Sequence, residues 1–194
     1  MKNLALLHGA NVEVASRSFN NVDICNLKSV KNYLTAITER LGAIDYVVNT
    51  AGLLIKKPID TLSIEEITAL ININYTGAVN VAIAAKPYLV ETSGMLLNFT
   101  SSSYTRGRAF YALYSSTNAA IVNFTQALAE EWVTDDVRVN CINPERTATP
   151  MRKANFGVEP TDLLLDARDV AATALKVLTS NKTGIIVDVR KDGR

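Results

Sequence analysis

The chain repeatedly places a short apolar run next to a longer segment whose apolar residues recur at helical spacing. The run Ile44–Asn49 follows a helical pattern over Leu27–Leu41, and Gly94–Phe99 precedes another over Tyr111–Trp132. Short apolar runs of this kind are typical of parallel strands that are buried on both faces. The alternation therefore predicts an α/β protein whose parallel sheet is covered by helices on both faces.

The same patterns predict the remaining elements. Further strands are expected at Asn11–Ala15, Val22–Cys25, Val137–Ile142 and Thr183–Val189. A capping box, Ser63-Ile64-Glu65-Glu66, predicts the start of a helix that runs to about Ala85, with Pro87 beyond its end. Asp166 is expected to cap a last helix, Arg168–Leu178, and Asn143-Pro144 to begin a long loop.

Length and composition limit the class of protein. A chain of 194 residues is expected to form a single domain, residues 1–194. Its 48% apolar and 20% charged content and net charge of +1 exclude a disordered chain and indicate no nucleic-acid partner. No apolar run reaches about 18 residues and no signal peptide is recognisable, so we expect no membrane span.

Two cysteines and a single histidine offer little reactive chemistry. Cys25 and Cys141 lie in apolar, strand-like runs, and we expect them to be buried, reduced thiols of a cytoplasmic protein. His8 is the only histidine in the sequence, and no cluster of metal-ligating residue types is recognisable. The sequence therefore predicts no metal site.

Hydroxyl side chains are concentrated where the strand at Gly94–Phe99 ends. Thr100-Ser101-Ser102-Ser103 follows the strand, a basic loop Thr105-Arg106-Gly107-Arg108 comes next, and a second hydroxyl cluster runs from Tyr111 to Thr117. Open α/β sheets bind their ligands outside the carboxyl ends of their strands. A Ser and a Tyr at such an end can hydrogen-bond a carbonyl oxygen. We therefore predict the functional site between Asn98 and Asn118.

Four segments match, in order, the motifs of one known family. Asn49-Thr50-Ala51-Gly52 is similar to an NNAG turn, and Asn74-Tyr75-Thr76-Gly77 to N-x-x-G, with Pro87 ten residues past its glycine. Ser101 and Tyr114 are 13 residues apart, and Asn143–Met151 is similar to N-P-G-x-x-x-T-x-M with Glu145 in place of Gly. Together these segments resemble the short-chain dehydrogenase/reductase family. The resemblance implies a Rossmann-like doubly wound parallel sheet that forms an NAD(P)-binding domain.

The resemblance also implies roles for individual residues. Tyr114 would be the acid/base that protonates a carbonyl oxygen, Ser101 would polarise that carbonyl, and Asn74 would support a water-linked proton path. Ser102 is the nearest competitor of Ser101. The family has a Lys four residues after the Tyr, and this cation lowers the phenol pKa from its usual value of about 10. Asn118 stands at that position and has no charge.

The glycine-rich phosphate turn of the family, T-G-x-x-x-G-x-G, does not occur in this sequence. Leu6–Asn11 resembles the end of the helix before the family's second strand, whereas Met1–Leu6 also resembles its first strand. If Met1–Leu6 were that strand, the connection to Asn11–Ala15 would be too short for a parallel crossover. We expect a first strand that is missing or incomplete, through N-terminal truncation or internal deletion, and a poorly anchored region over roughly residues 1–25.

Other cofactor contacts follow from the resemblance. Arg17 occupies the position that reads the adenosine ribose, where an Arg suits the 2′-phosphate of NADP better than NAD. The remaining positions that the resemblance assigns to cofactor binding are Asp23, Ile24, Asn49, Ala51, Gly52 and Thr149. Without a phosphate cradle these contacts predict weak binding.

The substrate is indicated by a narrower resemblance. Asn143–Thr147 and Pro150-Met151-Arg152 are similar to the reductase half of bifunctional ribitol 5-phosphate cytidylyltransferases, which implies reduction of ribulose 5-phosphate. Arg146, with Arg106 or Arg108 opposite, would suit a phosphate.

Two hypotheses therefore stand. The chain is an NADP(H)-dependent reductase of a small carbonyl, or it is an impaired or inactive relative that serves as an oligomerisation partner. Under either, the family implies a homodimer or homotetramer through helices at about 64–85 and 111–132.

Overall fold

In the computed structural model, which describes residues 1–191, the strands form one parallel sheet of four strands. In chain order they are β1 (Tyr46–Asn49), β2 (Met95–Phe99), β3 (Arg138–Pro144) and β4 (Ile186–Val189). The spatial order is also β1-β2-β3-β4, so each strand pairs with its neighbour in the sequence. The registers bring Asn49, Asn98, Cys141 and Ile186 into one row across the sheet. The carboxyl ends of all these strands therefore meet at one edge.

Helices cover both faces of the sheet. They are α1 (Lys2–Leu7), α2 (Arg17–Asn20), α3 (Leu27–Leu41), α4 (Ile64–Ile71), α5 (Gly77–Thr92), α6 (Ala112–Glu131), α7 (Pro150–Phe156) and α8 (Ala167–Leu178). Residues of α3, α5 and α6 form a core with Leu96 and Val139 on one face. Residues of α8 form a core with Leu97 and Ile142 on the other face, where Met1 also packs. This arrangement confirms the predicted α/β class.

Local signals fix several helix ends as the sequence predicts. The Ser63 side chain accepts a hydrogen bond from the Glu66 amide, and the Glu66 carboxylate accepts one from the Ser63 amide, which completes the capping box. Asp166 caps α8 by accepting from the Arg168 amide at 2.8 Å. Gly42 follows α3 with a φ of +87°, a conformation that glycine adopts without strain.

The strands predicted at Asn11–Ala15 and Val22–Cys25 are wrong. Both segments are irregular, and Ser16 instead caps α2 through its hydroxyl. A short alternating segment becomes a strand only if a neighbouring strand satisfies its backbone groups, and none of the described strands lies beside these two. Cys25 is accordingly only partly buried, whereas Cys141 in β3 is buried as expected. Met1–Leu6 is largely helical, in α1, so its likeness to a first strand is not realised.

The prediction that Pro87 lies beyond its helix is also wrong. Pro87 is inside α5, and the helix that was expected to end near Ala85 continues to Thr92. A proline inside a helix removes one backbone hydrogen bond, to the carbonyl four residues earlier. That residue, Ile83, and Pro87 itself are both exposed, so the interruption lies on the solvent-facing side of α5. Similarly, β3 extends through Pro144, so the loop that was expected to begin at Asn143 begins two residues later, at Glu145.

The continuous helical region Ile64–Thr92 is long and apolar enough to cross a membrane, by length and composition only. In this structure its apolar residues serve another purpose. Ala82, Ala85 and Leu89 are almost completely buried in the core beside β2. The core helix of a soluble protein passes the same test, so this helix supports no membrane assignment.

Candidate active site

A cavity of about 400 Å³ opens at the carboxyl ends of β1, β2 and β3. Its walls come from the turns that follow these strands, from the first turns of α6 and from α7. The predicted site residues that line it are Ala51, Gly52, Asn74, Ser101, Tyr114, Asn118, Arg146 and Thr149. The fold therefore brings together residues that are up to about a hundred positions apart in the sequence.

Ser101 lies in the turn that follows β2, with its hydroxyl beside that of Ser103. The Ser101 Oγ accepts hydrogen bonds from the Ser103 amide at 3.4 Å and from the Ser103 Oγ at 3.3 Å. Ser103 is buried, so the hydrogen bonds that orient the Ser101 hydroxyl come from the interior of the protein. Ser102 also lines the cavity. Both candidates for the residue that polarises the substrate carbonyl, Ser101 and Ser102, thus lie at the cavity.

Tyr114 lies in the first turn of α6, where its ring meets Tyr111 edge-on at 6.2 Å between centroids. Burial raises the pKa of the Tyr114 phenol above its ordinary value. The neighbouring Ser101 and Asn118 side chains oppose this pKa shift, and the more distant Arg152 cation opposes it weakly. The phenol is therefore protonated at neutral pH, and it is a weaker acid than an exposed tyrosine.

Asn118 is buried one helical turn beyond Tyr114, and its side chain is committed to the protein. Its Nδ2 donates to the Tyr114 carbonyl at 2.7 Å, and its Oδ1 accepts from the Thr100 Oγ1 at 3.3 Å. Thr100 also donates to the Asn118 carbonyl at 3.0 Å. These bonds join the end of β2 to α6. They supply no positive charge to the phenol.

Asn74 lies in a π-helical turn, Asn72–Thr76, which joins α4 to α5. Its Oδ1 accepts from the Leu53 amide at 2.7 Å, and its Nδ2 donates to the Leu53 carbonyl at 2.8 Å. The same Nδ2 also donates to the Thr117 Oγ1 at 3.3 Å. Turns of this type interrupt helices most often at functional sites. Here the turn aims one side chain at both the loop after β1 and the helix that carries Tyr114.

Three residues predicted to lie near the cofactor ribose, and Thr149, predicted to contact the nicotinamide end, lie close to this cavity. Asn49 ends β1, and its Oδ1 accepts from the Ala51 amide at 3.2 Å. Thr149 caps α7 by accepting from the Arg152 amide at 3.1 Å. Ala51, Gly52 and Thr149 line the cavity, whereas Asn49 does not.

The residues predicted to contact the adenosine end lie away from the cavity, around α2. Arg17 is largely exposed and pairs with Asp23 at 2.8 Å. Ile24 packs on Gly77 of α5, and Asn80 donates to the Ile24 carbonyl at 2.8 Å. No sequence pattern predicted the Asn80 contact. The glycine-rich turn, which in the family binds the diphosphate of the dinucleotide, does not occur in this sequence.

Arginines surround the outer part of the cavity. Arg108 and Arg146 line it, whereas Arg106 is exposed and lies outside the lining. Arg152, which the sequence analysis did not assign to the site, also lines the cavity from α7. Its guanidinium lies 4.0 Å from the centre of the Phe156 ring. The sequence carries no signal for this contact except the four-residue spacing on one helix.

The chain is similar to several known proteins. A model of the short chain dehydrogenase family matches residues 5–159. Over 174 residues the chain is 53% identical to a bifunctional ribulose 5-phosphate reductase/CDP-ribitol pyrophosphorylase of Haemophilus influenzae, covering 90% of this chain and 36% of that protein. It is 31% identical to an uncharacterized oxidoreductase of Staphylococcus epidermidis, covering 82% of this chain and 69% of that one. The chain thus spans little more than a third of the Haemophilus protein.

Solved structures share the fold. A 3-ketoacyl-(acyl-carrier-protein) reductase of Brucella melitensis, complexed with NADH, matches with a TM-score of 0.81 and 25% identity, over 87% of this chain and 75% of that one. A gluconate 5-dehydrogenase of Burkholderia cenocepacia, in complex with NADP and tartrate, matches with a TM-score of 0.79 and 22% identity, over 86% and 71% of the two chains. The neighbours therefore include both NADH and NADP complexes.

Proposed function

Because the chain belongs to the short chain dehydrogenase family, as its motifs predicted, we propose that it is an NADP(H)-dependent reductase of a small carbonyl compound. The observation that carries this proposal is the cavity in which Ser101 and Tyr114 meet at the carboxyl end of β2. A carbonyl between these side chains would be next to a hydroxyl that can polarise it and a phenol that can protonate it.

The role that we propose for the side chains of this protein is proton transfer. A reduced nicotinamide supplies the hydride when it is bound, and negative charge then develops on the carbonyl oxygen. In our proposal the Ser101 hydroxyl donates a hydrogen bond to this oxygen and the Tyr114 phenol gives it a proton. Asn74 holds the loop after β1 against α6 through its bonds to Leu53 and Thr117, and so supports the proton path.

Asn118 limits the rate that this site can reach. A raised phenol pKa makes Tyr114 a poorer proton donor, and the buried Asn118 amide adds no cation to correct it. A positioned acid/base contributes a factor of roughly 10² to 10⁴ to a rate, which is the scale of the loss we expect. The impaired-relative hypothesis is the limiting case of this effect.

The cofactor preference and the substrate are proposed from residues and relatives. Asn49, Ala51 and Gly52 would lie near the cofactor ribose, and Thr149 near the nicotinamide end. Arg17, with Asp23 and Ile24 beside it, would contact the adenosine end of NADP. The Haemophilus relative is named for ribulose 5-phosphate reduction, and we extend that substrate to this chain, with Arg146 and either Arg106 or Arg108 proposed as phosphate contacts. A cytoplasmic homodimer or homotetramer remains the proposed state.

The proposal is tested by titrating the protein with NADPH and following the nicotinamide fluorescence. We expect weak saturable binding and slow conversion of ribulose 5-phosphate to ribitol 5-phosphate. The Tyr114→Phe variant should bind NADPH equally and lose the conversion. If millimolar NADPH produces no binding, the chain is not an NADPH-dependent enzyme as it stands.

A further inference from the structure

Arg152 forms a two-pronged ion pair with Glu159 beside the cavity. Its Nε donates to Glu159 Oε2 at 2.7 Å and its second terminal nitrogen donates to Oε1 at 2.8 Å. Both side chains are only about one-fifth exposed, at 20% and 19%. Paired bonds of this geometry are how an arginine binds a carboxylate or a phosphate. Glu159 therefore occupies the position on Arg152 that an anionic ligand would need.

The surroundings of this pair are positively charged. Arg108 and Arg146 line the same cavity as Arg152. The hydrogen bonds from Arg152 hold the pKa of Glu159 below its ordinary value, and the charges of Arg146 and Lys56 lower that pKa further. An anion with more than one negative charge would interact more strongly with this cluster than a single carboxylate does.

Among the residues that the structure describes, one other carboxylate lies at the cavity, that of Glu145. It accepts a hydrogen bond from the Lys191 amide at 3.5 Å, while its own amide donates to the Val189 carbonyl at 3.0 Å. These bonds attach Glu145 to the end of β4. Glu145 therefore places a negative charge at the edge of the cavity, and it is not a partner of Arg152.

The Arg152 guanidinium is already oriented. It stacks on Phe156 at 4.0 Å, and Phe156 meets the Tyr111 ring edge-on at 6.0 Å between centroids. Lys56 approaches the same Phe156 ring to 4.7 Å. Because Tyr111 in turn packs on Tyr114, the arginine and the phenol are connected through adjoining aromatic rings. A group bound by Arg152 would lie in the same cavity as the carbonyl that Tyr114 is proposed to protonate.

We propose that Arg152, Arg146 and Arg108 form a phosphate-monoester subsite, and that Glu159 is the internal counterion which the phosphate replaces on Arg152. This inference rests on the proposed function, since it assigns the phosphate end of the substrate. It differs from the sequence-based expectation, which paired Arg146 with Arg106 or Arg108 and assigned no role to Arg152 or Glu159. The exchange makes binding selective: an uncharged sugar cannot displace Glu159, whereas a phosphate dianion can.

The experiment is a calorimetric titration without cofactor, using ribitol 5-phosphate, ribitol and inorganic phosphate. Ribitol 5-phosphate should bind and ribitol should not. Arg152→Gln should weaken the affinity for ribitol 5-phosphate by about tenfold or more, as expected when a charge-assisted hydrogen bond is lost. Glu159→Gln should strengthen that affinity several-fold, because the competing carboxylate is gone. Arg152→Lys should give an intermediate affinity, since it keeps the charge and loses the fork.

The matched control is Glu13→Gln, which breaks an ion pair of similar length, 2.7 Å, with Arg40. Glu13 lies outside the cavity lining, and its replacement should leave the affinity for ribitol 5-phosphate unchanged. The proposal is overturned if Glu159→Gln weakens the affinity or leaves it unchanged, because Glu159 would then only position Arg152. It is also overturned if Arg152→Gln and Arg152→Lys both bind as the unmodified chain does.

Two further outcomes separate this subsite from other assignments. If the Glu159→Gln effect appears with NADP⁺ and not with ribitol 5-phosphate, the phosphate belongs to the cofactor, and the substrate assignment is wrong. If ribitol 5-phosphate follows the expected pattern but NADPH does not bind, the subsite stands and the proposed reductase function fails.

Discussion

Tyr114 and Asn118 occupy successive turns of α6, and the second determines how well the first can act as an acid. The 13-residue spacing identified Ser101 and Tyr114, and the missing lysine was also evident from the sequence. The sequence could not reveal that Asn118 is bonded to Thr100 and to the Tyr114 carbonyl, because these contacts depend on how β2 meets α6. The place of Arg152 in the cavity was not predicted either, because it depends on how α7 packs beside the ends of the strands.

The ionisation of Tyr114 can be measured directly. Since burial raises the phenol pKa, we expect it to ionise above the ordinary tyrosine value of 10.0. Between the pKa of the unfolded chain and the higher pKa of the native state, the native state keeps a proton that the unfolded chain has lost. The contribution of this group to the free energy of unfolding is therefore full below the unfolded-state pKa and is lost as the pH rises through the native-state pKa. The difference in ultraviolet absorbance between the unmodified chain and Tyr114→Phe reports the titration.

Asn118→Lys is the corresponding gain-of-charge test. A cation one turn from Tyr114 should lower the phenol pKa. It should also increase turnover by roughly 10²-fold or more, which is the contribution of a positioned acid/base. Asn118→Gln is the neutral control of similar reach. An unchanged absorbance titration in Asn118→Lys would contradict our explanation of the slow rate.

Asn74 is expected to contribute to stability as well as to the proton path. Asn74→Ala removes both bonds to Leu53 and leaves its part-buried backbone amide and carbonyl without their partner, which should lower the free energy of unfolding by about 1–3 kcal/mol. Urea denaturation measures this change. Asn32→Ala, at an exposed position of α3, is the control and should have little effect. Equal free energies of unfolding for the two variants would show that the Asn74 bonds to Leu53 do not stabilise the fold.

At the scale of elements, the long and strongly patterned ones were predicted well and the short ones were not. The capping box and the apolar face of α3 depend on residues close in sequence, so they can be recognised locally. The segment Val22–Cys25 depends instead on its neighbours. It has no strand beside it among the described residues and docks on α5 through Gly77 and Asn80.

This docking depends on the absence of a side chain at Gly77. A Cβ there would lie 2.5 Å from the Ile24 Cδ1, so Gly77→Ala should displace the 22–26 segment and speed its amide exchange, while the exchange of β2 stays slow. Gly107→Ala is the matched control, because among the described residues no heavy atom lies within 4 Å of its added Cβ. Unchanged exchange at 22–26 would show that α5 does not hold this segment.

At the scale of the whole molecule, the region before α3 lies outside the sheet. Within residues 1–21 only Ala5 is buried in the described structure, and Leu7 and Phe19 are 82% and 75% exposed. The sequence predicted this weak anchoring over roughly residues 1–25 from the missing glycine-rich turn. It could not predict which structure would replace the expected strands, because irregular segments have no periodic pattern.

Amide hydrogen exchange tests this view of the molecule. We expect the amides of residues 1–21 to exchange fastest and those of β2 and β3 slowest, since only the latter are buried inside the sheet. Residues of α3 serve as an internal reference, because they belong to the core. Uniformly high protection across residues 1–25 would contradict the prediction.

The strand order β1-β2-β3-β4 has a consequence for how long a bound molecule can stay. Doubly wound sheets form their binding crevice where the strand order reverses, so that loops from both halves enclose the ligand. The described strands proceed in one direction without a reversal. They build the wall that faces the reacting carbonyl, and among the described residues no strand pairs with the outer edge of β1. A dinucleotide bound across that edge would meet strands on one side only, and we expect it to dissociate quickly.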